Sequence, residues 1–364
     1  MTSELTAVFY FSVVLLSALL AHISENGRTK IGLVLSTLLL VIVGGLRSYD
    51  VGIDTIHYKE GIEYFFINGE IAWNHAFSVP YGWFTSGILH VYNNYTFLLV
   101  VEAAITNGLF AMRLWDYRDR ISLSFAMFVY ASTLFPLSLC LTCQMIAVSI
   151  VFYAVRFLDS RKPVVFCVLL VVASLIHISA AIMVLALVHY VLNEEGSEKR
   201  SHIAVKLLGI AVTAVGGIYA SAKLLDNYAR YSVNESNVGL MVFAQLAVLI
   251  FALLASGCIQ KPDASGKEDS PPIMKISDRP VLLYIVGIAL SASSYVIANA
   301  GRIAYYFTIF GPVVFGAFVK GADKSKSRFV LGMALGIWFL FYAWYAYLLH
   351  TGLGIESYSF VWMK

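Results

Sequence analysis

The sequence predicts an all-α, polytopic integral membrane protein with about 12 transmembrane helices (11–13) plus one interfacial or re-entrant segment. The 364 residues are 59% hydrophobic and only 13% charged, a composition that suits a bilayer and not a soluble domain. Apolar runs near the ~20 residues that a spanning helix needs follow one another almost from end to end. Basic residues cluster in alternate joints between these runs, as the positive-inside rule requires.

Each predicted span is an apolar run bounded by charged or turn-forming residues. The candidate spans are residues 5–23, 31–46, 95–113, 121–137, 139–157, 164–176, 178–192, 203–222, 238–259, 281–298, 303–319 and 329–349. The weaker stretch 77–92 contains Pro80, Gly82, Gly87 and His90, so it is predicted to be interfacial or re-entrant. Counting it as a crossing would scramble the charge bias of every later joint.

The charge distribution predicts which joints share a side of the membrane. Of the 25 Lys and Arg residues, all but six fall in or beside the joints 24–30, 114–120, 158–163, 193–202, 260–280 and 320–328. These joints are therefore predicted to be cytoplasmic, with both termini outside. The formal charge of +3 reports this topology and does not indicate nucleic-acid binding.

The whole chain, residues 1–364, is predicted to be a single transmembrane domain with no soluble domain. Residues 47–94 form an outer-face loop that contains an interfacial helix and the re-entrant segment. Residues 260–280 are rich in Pro, Ser, Asp and Lys, which indicates a cytoplasmic linker.

Charged residues on the outer side are not explained by topology, and the first group of them is GGLRSYDVGIDTIHY after the second span. Asp54 and Thr55 are predicted to cap the interfacial helix, and Gly69 to end it. Arg47 can simply reach lipid headgroups and pair with Asp50. Alternatively, it is an arginine fork beside carboxylates, suited to a phosphorylated sugar at the membrane surface.

His177 interrupts the apolar run of residues 164–192. As one helix this run would measure about 43 Å, more than a ~30 Å hydrocarbon core, and the charge rule needs both of its ends inside. The chain is therefore predicted to reverse at His177, slightly below the outer surface in a protein-lined cavity. Such a residue is either a hydrogen-bonded packing histidine or a functional one.

Two more outer groups contain arginine. Arg302, within NAGRIAYYF, lies in a tight turn where the positive end of the following helix favours an anion. Arg230, within DNYARY, lies in a longer polar loop and could simply be solvated.

No cofactor is expected from the sequence. The four cysteines lie in or beside apolar spans: Cys140, Cys143, Cys167 and Cys258. They are interpreted as buried small residues, because no βαβ pattern surrounds the CLTC pair. A divalent metal held by Asp50 and Asp54 is a less favoured alternative, since two nearby carboxylates are common without one.

The same stretches resemble the EpsG-type branch of the Wzy polysaccharide polymerases, multispanning enzymes of O-antigen, lipopolysaccharide and exopolysaccharide assembly. GGLRSYDVGIDTIHY is similar to the family's G-L-R-x-x-x-G-x-D-x-x-x-Y pattern, and QMIAVSIVFYAVRFL, VVASLIHISAAIMVL and GRIAYYF follow in the family's order. Where the family has Arg-Gln, this chain has Cys143 and Gln144. Either Arg230 or Lys223 supplies the missing charge, or the chain handles its pyrophosphate differently.

The resemblance implies a glycosyltransferase in the bacterial inner membrane with its active site facing the periplasm. It would transfer a growing chain from undecaprenyl pyrophosphate onto the non-reducing end of a new lipid-linked repeat unit. The implied partners are undecaprenyl-pyrophosphate-linked oligosaccharides, the lipid bilayer and a chain-length regulator protein.

This chemistry assigns roles to the outer residues. Negative charge builds on the leaving diphosphate, and the candidates to bind it are arginines: Arg47, Arg302 and, third, Arg230. The attacking sugar hydroxyl needs a base, for which His177 is the first candidate, with Asp54 or Asp50 second. A direct displacement would invert the anomeric configuration. The candidate sugar-binding residues are Tyr58, Tyr49 and Tyr305, although interfacial aromatic belts explain such tyrosines equally well.

Three other functions remain open at this point. A flippase or transporter of lipid-linked sugars should show half-chain symmetry and ionisable residues at the midplane, where only Glu102 stands out. An O-antigen ligase uses similar chemistry with a different acceptor. A membrane O-acyltransferase would use the intramembrane His177 as its key residue.

Overall fold

The structure is a computed structural model that describes residues 2–71, 77–192, 238–255, 274, 278–293, 300–322, 325–349 and 352–363. Every regular element among these residues is helical, and one isolated antiparallel bridge joins Arg47 to Phe360. The prediction of an all-α membrane protein is confirmed.

The described helices are α1 (Ser3–Gly27), α2 (Ile31–Gly45), α3 (Ile53–Asn68), α4 (Val79–Val91), α5 (Tyr95–Asp116), α6 (Leu123–Thr133), α7 (Phe135–Ser138), α8 (Thr142–Asp159), α9 (Pro163–Ile176), α10 (Val184–Leu192), α11 (Val238–Ala255), α12 (Arg279–Ser293), α13 (Ala300–Thr308), α14 (Gly311–Gly321) and α15 (Ser325–Ala343). A 3-10 helix (Ile178–Met183) joins α9 to α10, and α15 continues as a π-helix (Trp344–Leu349).

Four helices of the described part are long and apolar enough to cross a membrane alone, namely α1, α5, α8 and Ser327–Leu349. The bent pair Gly301–Thr308 and Gly311–Gly321 would make a fifth. Six shorter apolar helices accompany them, so the count of about 12 spans is not confirmed. The predicted span 203–222 and most of the linker 260–280 lie outside the described residues.

Proline interrupts two of the predicted spans. Pro136 stands at the start of α7, which is separate from α6, and Pro312 stands at the start of α14, which bends by 42° from α13. Proline has no N–H to donate, and its ring clashes with the preceding helical turn. Each of the predicted spans 121–137 and 303–319 is therefore divided into two helices.

The helices α5, α6 and α8 pack around stacked aromatic rings. The ring centroids of Phe110 and Tyr130 lie 3.7 Å apart, and those of Phe110 and Phe152 lie 5.3 Å apart. The Tyr130 hydroxyl donates to Asn107 Oδ1 at 2.9 Å, so this buried polar tip is satisfied.

The helix α8 connects two ends of the molecule, and its 18 residues measure about 27 Å. At one end, Arg47 Nη2 donates to Thr142 Oγ1 at 3.2 Å. At the other end, Asp159 forms an ion pair with Arg113 from the end of α5. We call the first the site end and the second the basic end.

The chain reverses direction at His177, as the length argument predicted. The helix α9 starts beside the basic end, and His177 follows it in extended backbone (φ −143°, ψ 112°). The chain then returns through the 3-10 helix and α10, so that Tyr190 lines the same basic-end cavity as Asp159. The 14 residues of α9 measure about 21 Å, which leaves His177 short of a full crossing.

The helix α3 lies between two glycines with positive φ. Gly69 (φ 73°) ends it as predicted, but Gly52 (φ 90°) is its N-cap and no side chain caps it. The prediction that Asp54 and Thr55 cap α3 is therefore wrong. A Cβ on Gly52 would lie 2.2 Å from the Leu139 carbonyl oxygen, so glycine is needed at this close contact.

The stretch 77–92 forms α4, whose 13 residues measure about 20 Å and are too few for a crossing. Ser78 caps α4 through the Tyr81 N–H, with Pro80 in the first turn. The Ser78 hydroxyl also lies 2.6 and 2.9 Å from the carbonyl oxygens of Leu175 and Ile176. The start of α4 is thereby joined to the reversal at His177.

Residues 352–363, the tail segment, fold back over the residues that follow α2. Four backbone hydrogen bonds of 2.7–3.0 Å connect positions 353–361 of the tail with positions 46–53. The Tyr358 hydroxyl donates to the Val43 carbonyl at 2.7 Å, and its ring stacks on Phe9. The tail segment therefore covers the turn that contains Arg47.

Candidate active site

Four parts of the chain meet at the site end: the first turn of α3, the start of α8, the break at His177, and α13. The Gln144 amide donates to the Arg302 carbonyl at 2.6 Å, and the Cys143 thiol donates to the Ile176 carbonyl at 3.4 Å. The first turn of α8 therefore holds α13 and the His177 break.

Arg302 is the common electrostatic neighbour of the other candidate residues. Its side chain is exposed, and its positive charge acts on both Asp54 and His177. The structure thus gathers a cation, a carboxylate and an imidazole that are far apart in the sequence. That all three face the periplasm stays a prediction.

Asp54 lies in the first turn of α3, outside the spanning segments, and is partly buried. Burial raises the pKa of its carboxyl above the ordinary value, while the positive charges of Arg302 and His57 lower it. Burial penalises the carboxylate, and the two cations favour it. Proton uptake by Asp54 is therefore coupled to the charge around Arg302.

His177 is held through its Nδ1 atom. This atom lies 2.6 Å from Ser179 Oγ and 3.3 Å from the Tyr306 hydroxyl. The Ser179 hydroxyl donates to the Tyr306 oxygen at 3.1 Å. Because that hydroxyl proton is used, Ser179 can accept a hydrogen bond from Nδ1–H. This tautomer leaves the Nε2 lone pair available, and Nε2 has no hydrogen bond to the residues that the structure describes.

The predicted tyrosines do not all lie in this cluster. Tyr58 does, since Asp54 and Arg302 both act on it electrostatically. Tyr49 lies elsewhere, with its hydroxyl 2.9 Å from Thr96 Oγ1. Tyr305 lines a separate small cavity of about 60 Å³.

Sequence reasoning missed Ser179 and Tyr306. Tyr306 lies four residues after Arg302, which places both on one face of α13. This spacing was the available signal, and it favours Tyr306 over Tyr305. Ser179 carries no comparable signal, because its position depends on the 3-10 turn after His177.

Arg47 was predicted either to reach lipid headgroups and pair with Asp50, or to form an arginine fork at the membrane surface, but it is buried. It is 2% exposed, beneath the tail segment. Its guanidinium donates to the Gly44 carbonyl and to Thr142 Oγ1, so it ties α2 to the start of α8. Glu102, which accepts from the Tyr81 hydroxyl at 2.5 Å, acts on it electrostatically. These contacts give Arg47 a structural environment, because buried charges need such partners.

Of the remaining predicted residues, one is described by the structure and two are not. Asp50 is exposed, on the turn before α3. Arg230 and Lys223 lie outside the described residues. The substitution at the family's Arg-Gln position places Cys143 beside Gln144, whose amide holds the arginine-bearing helix α13. No side chain caps the start of α8.

Within the described ranges, no three His, Cys, Asp or Glu side chains lie close enough together to hold a metal ion. Cys140 and Cys143 are buried, and neither forms a disulfide.

The comparisons with known proteins identify the family. The model of the EpsG family matches residues 30–360, which is most of the chain. No curated protein and no solved structure matches it. The chain therefore belongs to the EpsG family, and this membership supports a polysaccharide-polymerase-like role for a membrane-embedded protein.

Proposed function

We propose that this protein polymerises undecaprenyl-pyrophosphate-linked oligosaccharide repeat units at the periplasmic face of the bacterial inner membrane. The repeat units serve O-antigen or exopolysaccharide assembly. The growing chain is transferred from its lipid carrier to the non-reducing end of the next lipid-linked unit, and a chain-length regulator protein is the expected protein partner.

One observation carries the proposal. Asp54, His177 and Arg302 come from separate elements and meet at one end of α8, with Arg302 acting on both of the other groups. Glycosyl transfer from a diphosphate needs an anion-binding group and a base beside the same sugar. This cluster supplies both kinds of group.

The leaving group accounts for the role of Arg302. The bond between the anomeric carbon and the pyrophosphate oxygen breaks, and negative charge develops on the diphosphate. Arg302 is exposed at the start of α13, where guanidinium and helix end together favour that charge. One preorganised contact of this kind contributes about 3 kcal/mol. Arg230 is a second candidate, while the buried Arg47 supports the start of α8.

The attacking hydroxyl accounts for the role of His177. The acceptor oxygen forms the new bond to the anomeric carbon, and its proton passes to Nε2 while Nδ1–H remains bonded to Ser179. Asp54 is the alternative base. Attack opposite to the leaving pyrophosphate inverts the anomeric configuration. Tyr58 is placed to contact the sugar.

Complementation of a strain that lacks its polysaccharide polymerase tests the proposal. Wild-type protein should restore the ladder of chain lengths, whereas Arg302→Gln should leave a single capped repeat unit at normal membrane abundance. Loss of all surface polysaccharide with the variant would favour a flippase or a ligase. A normal ladder with Arg302→Gln would contradict the assigned role of Arg302.

A further inference from the structure

A large cavity lies at the basic end, about the length of α8 away from the candidate active site. Its volume is about 790 Å³, within the range of ~300–1,000 Å³ that is usual for small-molecule sites. Five arginines line it: Arg113, Arg120, Arg156, Arg161 and Arg279. The proposed transfer reaction uses none of them.

Two aspartates organise three of these arginines. Asp116 pairs with Arg113 at 3.2 Å and with Arg156 at 3.4 Å. Asp159 pairs with Arg113 and Arg279. The ion pairs fix the guanidinium groups before any ligand arrives, which lowers the cost of binding.

The lining keeps an excess of positive charge. Five arginines against two aspartates leave three formal positive charges among the described lining residues. Arg120 and Arg161 are exposed, and neither forms an ion pair or a side-chain hydrogen bond with the described part of the chain. These two side chains are therefore free to contact a ligand.

Arg113 is the enclosed member of this set, at 3% exposure. Its guanidinium donates to Asp116, Tyr117 and Asp159, so it holds the wall of the cavity in place.

Arg161 follows α8 in left-handed backbone, with φ 56°. The N–H groups of Arg161 and Lys162 bond to the carbonyls of Leu158 and Phe157 in a Schellman motif. Because glycine is usual at this position, Arg161→Gly removes the charge without disturbing the turn.

We propose that this basic-end cavity binds an anion that carries two phosphate groups. Three excess positive charges exceed what one phosphate of about −1.5 to −2 neutralises. The cavity lies where α5 and α8 end, at the level expected for lipid headgroups on the cytoplasmic side. The ligand is a two-phosphate lipid headgroup or a soluble diphosphate, and the proposal does not depend on the reaction at the site end.

Binding to the purified full-length chain distinguishes these sources. Native mass spectrometry would count bound cardiolipin, with the zwitterionic phosphatidylcholine as the comparison of zero net charge. Calorimetry would measure the binding of inorganic pyrophosphate. The test variant is Arg120→Gln with Arg161→Gly, because glycine suits the left-handed backbone and should not reduce thermal stability. Removing two charge-assisted contacts should weaken binding about tenfold or more.

Arg28→Gly is the matched control. Arg28 also follows a helix in left-handed backbone (φ 49°) and is exposed, but it does not line the cavity. Binding of cardiolipin alone would identify a lipid, and binding of pyrophosphate would identify a soluble ligand. The proposal is overturned if neither probe binds, if the double variant binds as tightly as wild type, or if Arg28→Gly weakens binding equally.

Discussion

His177 can act as a base only if its Nδ1 atom keeps the ring proton. Ser179 is the residue placed to accept a hydrogen bond from Nδ1–H, since its oxygen lies 2.6 Å from Nδ1 and its own hydroxyl donates to Tyr306. The role of His177 therefore depends on a positioning residue that never touches the sugar.

Turnover of His177 and Ser179 variants tests this dependence. His177→Gln should bind lipid-linked substrate yet turn over about 10²-fold more slowly or worse. Ser179→Ala should lose about tenfold, and the double variant should be no slower than His177→Gln alone. His90→Gln is the control, because its ring bonds within its own helix at Ser86. Independent, additive losses would show that Ser179 does not act through His177.

Lysine substitution distinguishes Arg302 from Arg47, which the sequence analysis both named as candidates to bind the diphosphate. Arg302→Lys should keep membrane abundance but lose most activity, because lysine cannot form a bidentate fork on a diphosphate. Arg47→Lys should instead lower the thermal stability of the purified protein, since it breaks the buried contacts with Gly44 and Thr142. Equal activity of Arg302→Lys and wild type would place the pyrophosphate elsewhere.

The pH profile reports the state of Asp54. Burial raises its pKa, so any activity that needs the carboxylate is lost at a higher pH than for an ordinary aspartate. The charge of His57 lowers that pKa, so His57→Gln should move the acid limb of the profile to higher pH. His22→Gln, at the far end of α1, is the control. An unmoved limb would exclude Asp54 from the titration.

At the scale of elements, the position of α3 depends on the contact between Gly52 and Leu139. Gly52→Ala places a Cβ 2.2 Å from a backbone oxygen in left-handed backbone, so the melting temperature and activity should both fall. Gly87→Ala in α4 has nothing within 4 Å and should be neutral or stabilising by up to ~1 kcal/mol. Thermal unfolding in detergent compares the two variants, and equal melting temperatures would contradict this account.

Two features that depend on local signals were read correctly from the sequence, and one that depends on a distant contact was not. The end of α3 at Gly69 follows from one residue, and the reversal at His177 follows from a length and a charge count. The start of α3 depends on a carbonyl at Leu139, far along the chain, and no local pattern reports it. Hydropathy alone also hid the breaks at Pro136 and Pro312.

The candidate site shows the same division. Asp54, His177 and Arg302 were predicted to be site residues because each is an ionisable residue in or beside an apolar span. Arg47 is also an ionisable residue beside an apolar span. Its burial depends on the tail segment, which folds over it from the other end of the sequence. Whether Tyr305 or Tyr306 faces His177 is a matter of helix rotation, to which a hydropathy pattern is insensitive.

At the scale of the whole molecule, the two ends of α8 should face opposite sides of the membrane. Reporter fusions after residues 60 and 230 should be periplasmic, and those after residues 115, 270 and 325 cytoplasmic. The ion pairs that join α5, α8 and α12 at the basic end fit this arrangement. A cytoplasmic reporter at residue 60 would contradict both the topology and the proposed reaction.

The tail segment is made long after the turn that it covers. Tyr358 and its partner Val43 are 315 residues apart along the chain. At a synthesis rate of roughly 5–20 residues per second, the turn that contains Arg47 leaves the ribosome about 15–60 s before its cover does. Until the tail segment has been made, Arg47 therefore lacks the cover that buries it in the folded protein. A bulky tag after residue 364 would be expected to prolong that interval, and a tag before residue 1 would not.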